Sequence, residues 1–193
     1  MTDQEMSEAK VRVLEMAELL FRAKGFAAVT MRDIAQALGM QKPSLYYHTP
    51  GGKEQLFQEV IERVMTRYQH GITEAIASGH DLRTQLTAIA LWALSQPQLN
   101  ISRLFQMDFP QLEEAKAHPL VKQTNYAVFH PVEQIIAAAS ARGDIRPVDE
   151  HMVAVLFINA LESLYELARY MGKDKQIMAE SAVTLFMDGL RPI

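Results

Sequence analysis

The sequence predicts an all-α fold, and three observations carry that prediction. Apolar residues recur three and four apart through every long segment, the period of one helix face. No segment alternates apolar and polar residues as a half-buried strand does. Glycine, proline and aspartate fall between the periodic segments at helix-length intervals. At 193 residues, 49% of them hydrophobic, the chain can bury a core, and nothing in it reads as disordered. It has no cysteine, which excludes disulfides and cysteine-bound zinc. No uninterrupted apolar run reaches the roughly 20 residues of a membrane span. The polar start, MTDQEMSEAK, has no signal-peptide core, so the expectation is a cytoplasmic protein.

The first predicted helix covers residues 7–24, with Val11, Leu14, Ala17, Leu20 and Phe21 on its apolar face and Gly25 at its end. Residues 30–53, TMRDIAQALGMQKPSLYYHTPGGK, then read as two short helices around a tight turn. Met31, Ile34, Ala35 and Leu38 form one apolar face. Thr30 stands at the N-cap and Gly39 at the C-cap. The second short helix begins near Pro43, tolerated in a first turn that has no N–H partners to lose. Only Leu45 points inward there, which leaves Gln41, Lys42, Ser44, Tyr47 and His48 to face out. This is a helix-turn-helix, a unit whose second helix enters the DNA major groove. Net charge is −4, yet residues 20–53 carry five basic residues against one acid, and residues 54–193 twelve against seventeen. A basic head on an acidic body suits local phosphate binding. Gly51-Gly52-Lys53 lacks the spacing of a nucleotide-phosphate loop.

A long helix is expected over residues 53–78, periodic from Leu56 to Ala75 and uninterrupted by any linker. Helices follow over 82–96, over 99–109 up to Pro110, and over 119–142, where Pro131 should impose a kink. The last two cover 149–171 and 174–190. The first of these is apolar on two sides, so one side is expected to meet a second copy of the chain. The dimer interface is placed at Val153, Phe157, Leu161 and Leu164, with Val183, Phe186 and Leu190 from the final helix. The large side chains Trp92, Phe105, Met107, Phe109, Tyr126 and Phe129 sit near proline breaks among packed helices, where bundle cavities form. They are the candidate ligand pocket, with Asn159, Glu162 and Tyr165 as its polar contributors.

There is no G-x-S-x-G elbow and no H-E-x-x-H helix, and the six histidines show no ligand spacing. No enzyme activity, cofactor or metal site is therefore expected.

The stretch Thr30-x-Arg32-x-Ile34-Ala35-x-x-Leu38-Gly39-Met40, then Ser44-Leu45-Tyr46-Tyr47-His48, then Lys53-Glu54-x-Leu56, resembles the TetR family of bacterial regulators. Thr49, Pro43 and the additional glycine of Gly51-Gly52 depart from the family pattern. The resemblance implies a DNA-binding domain at 1–52 and a ligand-binding and dimerisation domain at 53–193. It implies a homodimeric repressor on double-stranded operator DNA, released by a small-molecule effector, with no membrane partner. It assigns DNA contacts to Thr30, Arg32, Gln41, Lys42, Ser44, Tyr46, Tyr47, His48 and Lys53, with Tyr47, His48 and Lys53 on phosphates. A helical regulator governed by a protein partner, and an enzyme on a helical body, are the alternatives.

Overall fold

The computed structural model describes residues 8–192, so the expected start of the first helix at Ser7 lies outside the described residues. Ten α-helices and no strand occur among the described residues. They are α1 (Glu8–Lys24), α2 (Met31–Leu38), α3 (Lys42–His48), α4 (Gly52–Ser78), α5 (Leu82–Ser95), α6 (Ile101–Arg103), α7 (Glu114–Thr124), α8 (His130–Arg142), α9 (Glu150–Met171) and α10 (Lys175–Gly189).

Two compact units share these helices. The first holds residues up to Val64 together with Ser102–Val121; the second holds Met65–Ile101 and Lys122 onward. The division cuts inside α4 and brings a remote segment, 102–121, into the first unit. It does not follow the functional cut at 52/53 that the sequence suggests.

In the first unit, α1 buries Val13, Leu14, Ala17 and Phe21, α2 buries Met31, Ile34 and Ala35, and α3 buries Leu45. Phe57 from α4 closes this core. It meets Phe21 edge-on at 5.2 Å, Phe26 at 4.8 Å and Phe109 at 6.4 Å between ring centres. Edge-to-face pairs at such spacing add to the gain from burial alone.

In the second unit, α5 lies against α9 and α10, and α8 against α9. Leu86, Ile89 and Leu94 of α5 are fully buried, as are Ile136 of α8 and Phe157 of α9. Gly71 of α4 has a packing reason. A Cβ there would sit 2.0 Å from the Trp92 ring, so only glycine lets the indole lie on the α4 backbone.

The prolines act differently from the expected kink. A π turn, Leu104–Asp108, ends two residues before Pro110, and another, Asn125–Phe129, ends two residues before Pro131. Each widened turn lies where the proline ring needs room and where the missing N–H would leave a carbonyl without its α-helical donor. Pro119 lies inside α7, not at its start. By an 18-residue window α9 is long and apolar enough to cross a membrane, with mean hydropathy 1.2, although no uninterrupted apolar run was visible in the sequence. A third of that window is buried in the chain.

Candidate nucleic-acid interface and body cavity

The entry to α2 is a capping box. Thr30 Oγ1 accepts the Asp33 N–H at 3.2 Å, and Asp33 Oδ2 accepts the Thr30 N–H at 2.9 Å and the Thr30 hydroxyl at 2.7 Å. Both orphan N–H groups are satisfied reciprocally. These bonds from Thr30, with Lys24 and Arg32 nearby, hold the Asp33 carboxyl below its usual range. Thr30 is thus the cap, and its hydroxyl is already engaged. Gly39 ends α2 with a left-handed φ of 65°.

On α3 the sequence reading of faces holds for Leu45, Gln41, Lys42, Ser44 and Tyr47 but not for His48. Leu45 is buried, and Gln41, Lys42, Ser44 and Tyr47 are exposed, Tyr47 at 85%. Tyr46 is 41% exposed and His48 half-buried. Arg32 on α2 is exposed as well. Thr49, one of the departures from the family pattern, is buried. Its hydroxyl donates to the Leu45 carbonyl at 3.1 Å and closes the last turn of α3. Sequence reasoning missed Lys10, whose ammonium donates to the His48 carbonyl at 2.7 Å and pairs with Glu59. A cation at that end also complements the helix dipole. Lys53 is held close to the fold: Nζ donates to the Phe26 carbonyl at 3.1 Å and stands 4.2 Å above the Phe26 ring. An ammonium has three donors, and this bond uses one of them.

The second unit contains a small cavity with about 30 Å³ of free volume. Trp92, Glu162 and Tyr165 line it, as the sequence suggested. Tyr68, Ile72 and Ile101 line it too and were missed. Tyr68 meets the Trp92 ring edge-on at 5.0 Å. Glu162 is its one charged wall residue, and Oε1 accepts the Ile101 N–H at 2.6 Å.

The remaining pocket candidates lie elsewhere. Phe105, Met107 and Phe109 belong to the first unit, where Phe109 packs on Phe57 and Phe105, and Met107 is exposed. Tyr126 is exposed and stacks on His130, while Phe129 is buried away from the cavity lining. Asn159 donates to the Val155 carbonyl within its own helix. Of the prolines that suggested a cavity there, Pro110 and Pro131 follow π turns and Pro119 lies inside α7.

The seven residues expected at a dimer interface also have a different placement. Val153, Phe157, Leu161, Val183 and Leu190 are buried in the chain's own core, and Leu164 and Phe186 are half-buried. The dominant apolar stripe of each helix faces inward. What α9 and α10 present outward is Met152, Leu156, Leu167, Tyr170, Met171, Ile177 and Leu185. No cluster of three potential metal ligands occurs among the described residues.

Residues 13–60 match the sequence profile described as "Bacterial regulatory proteins, tetR family". The chain is 35% identical over 83 residues to the HTH-type transcriptional repressor KstR2 of Rhodococcus jostii, a match covering 43% of this chain and 40% of that relative. A solved bacterial regulatory protein of the tetR family from Rhodococcus RHA1 shares the fold, with a TM-score of 0.80 at 21% identity over 97% of this chain and 100% of that one. So does AibR, solved in complex with isovaleryl coenzyme A and operator DNA, with a TM-score of 0.77 at 21% identity over 92% and 97%. On these matches residues 13–60 are a helix-turn-helix head of the tetR type, and the chain as a whole shares the fold of solved regulators of that family.

Proposed function

We propose that the protein is a dimeric repressor that reads an inverted-repeat operator with α3 and leaves it when a small, mostly apolar molecule enters the cavity of the second unit. The reading assigns DNA binding to residues 1–52, effector binding and dimerisation to 53–193, and the cytoplasm as the place of action. One observation carries it: α3 buries Leu45 alone and keeps Gln41, Lys42, Ser44 and Tyr47 clear of the core. Polar and basic side chains on an exposed helix of this kind reach base edges and phosphates.

The effector class is supported by the cavity wall, aromatic and aliphatic apart from Gln98 and Glu162. A neighbour solved with isovaleryl coenzyme A makes a short-chain acyl thioester the first probe. The uninterrupted helix α4, Gly52–Ser78, supports coupling, because its residues belong to both units. Such couplings are typically about 1–3 kcal/mol and are reciprocal.

Selection of duplexes from a randomised pool by the purified protein, followed by sequencing, tests the DNA reading. An inverted repeat supports it; enrichment of no duplex refutes it. Calorimetry of isovaleryl coenzyme A with and without the selected duplex tests the switch. Binding that is equally tight in both titrations would refute the switch for that ligand.

A further inference from the structure

The segment that joins the first unit from far along the sequence holds a charge pair against the base of the helix-turn-helix. Asp108 is buried, 3% exposed, and its Oδ1 accepts the Phe26 N–H at 2.8 Å. Its Oδ2 accepts from Arg103 Nε at 3.3 Å. The Arg103 guanidinium also donates to two carbonyls at the end of α1, Phe21 through Nη2 at 2.8 Å and Arg22 through Nη1 at 3.0 Å. Between these anchors lies Gly25, with φ +82°, where an added Cβ would come within 3.3 Å of Asp108 Oδ1. The Phe26 carbonyl is tied in turn to Lys53. The turn from which the chain enters Thr30 and α2 is therefore fixed on both its N–H and its C=O.

The pair depends on the π turn. An α-helix carries residues five apart about 140° around its axis. The wider turn at Leu104–Asp108 brings Arg103 and Asp108 back to one side. Burying an arginine fork and a carboxylate is costly unless both are fully engaged, and here both reach backbone groups at the end of α1 and in the turn that follows it.

We propose that Arg103 and Asp108 are positioning residues for operator recognition: by fixing the Gly25–Phe26 turn they set the angle at which α2 and α3 leave α1. The proposal rests on the operator reading above and extends the DNA-reading unit to a segment outside residues 1–52. Neither side chain need touch DNA. Phosphate contacts tolerate a small tilt of α3, whereas hydrogen bonds to base edges do not. Loss of the pair should thus lower discrimination between sequences more than affinity for DNA in general.

The test uses the full chain and the duplex that the unaltered protein selects from a random pool, beside an unrelated duplex of equal length. The variants are Asp108→Ala, Arg103→Met, Asp108→Asn and Arg103→Lys, with thermal melting of each. Asparagine keeps the acceptor for the Phe26 N–H; lysine keeps the charge but loses the fork. The expected result is a fall of roughly tenfold or more in the affinity ratio of selected to unrelated duplex for Asp108→Ala and Arg103→Met. Asp108→Asn should come closest to the unaltered protein, and the salt slope should not change. If Asp108→Ala or Arg103→Met fails to fold, Arg103→Lys alone must lower the ratio. An unchanged ratio in the folded variants overturns the proposal, as does an equal loss on both duplexes. If the unaltered protein selects no duplex, the operator reading itself fails, an outcome distinct from the others.

Discussion

Single side chains decide more of this molecule than their sequence neighbourhood reveals. Thr30 was legible as a cap because a hydroxyl before a periodic helix has one evident use. Thr30→Ala should cost about 1 kcal/mol, read as a lower denaturant midpoint. Asp33 adds a pH dependence. Its folded-state pKa lies below the ordinary value, so its contribution is present above the unfolded pKa, near 4, and is lost as pH falls through the lowered folded one. Asp33→Asn should flatten that acid limb of the stability profile; an unaltered limb would exclude the box as its source. Gly71 was not legible, because glycine inside a periodic helix looks merely unfavourable until Trp92 is seen lying on it. Gly71→Ala forces the indole outward and should destabilise by about 1–3 kcal/mol. The chain has a single tryptophan, so its emission should shift red in the same variant.

At the scale of elements, nearly every helix could be read from periodicity, with ends set by caps. Asp81, Asp149 and Asp174 each accept a backbone N–H at the start of their helices. What could not be read were the π turns, since the α period continues through them and proline announces only a disturbance. That hid the placement of Phe105 and Phe109, which a simple kink would have left beside a cavity. The two surfaces of the amphipathic helices were also confused: the stronger stripe is the core, and the weaker one is outside. On α3 and the start of α4 the reading was sounder, because a short helix with one buried residue has little freedom. Lys53→Ala should weaken binding to every duplex alike and reduce the salt slope by about one unit. Gln41→Ala should instead change which base is preferred at its position. A uniform loss from Gln41→Ala would place that side chain on the backbone of the DNA.

For the molecule as a whole, the outward residues of α9 and α10 supply the test of assembly. Leu185 is 74% exposed and Leu156 54%, and with Met152 they rim a hollow of about 440 Å³. Leu156→Glu and Leu185→Glu touch little of the chain's own core, so folding should change by less than about 0.5 kcal/mol. Sedimentation should nevertheless show a shift from dimer to monomer, and operator affinity should fall with it. Variants that remain dimeric would move the interface to another face. A two-fold pair of heads would read half-sites about 10 bp apart, or a multiple of that. The same scale governs the response to an effector. A free volume of about 30 Å³ is small beside an acyl thioester, so an effector of that size would have to part the walls as it enters. Apparent affinity is then the intrinsic affinity scaled by the fraction of molecules already open. Shaving a wall residue such as Ile72 to alanine would cost about 2–5 kcal/mol of stability and raise that fraction. On the proposed reading, sensitivity and robustness are opposed: the dose at which such a switch answers would be set by how tightly its own core is filled.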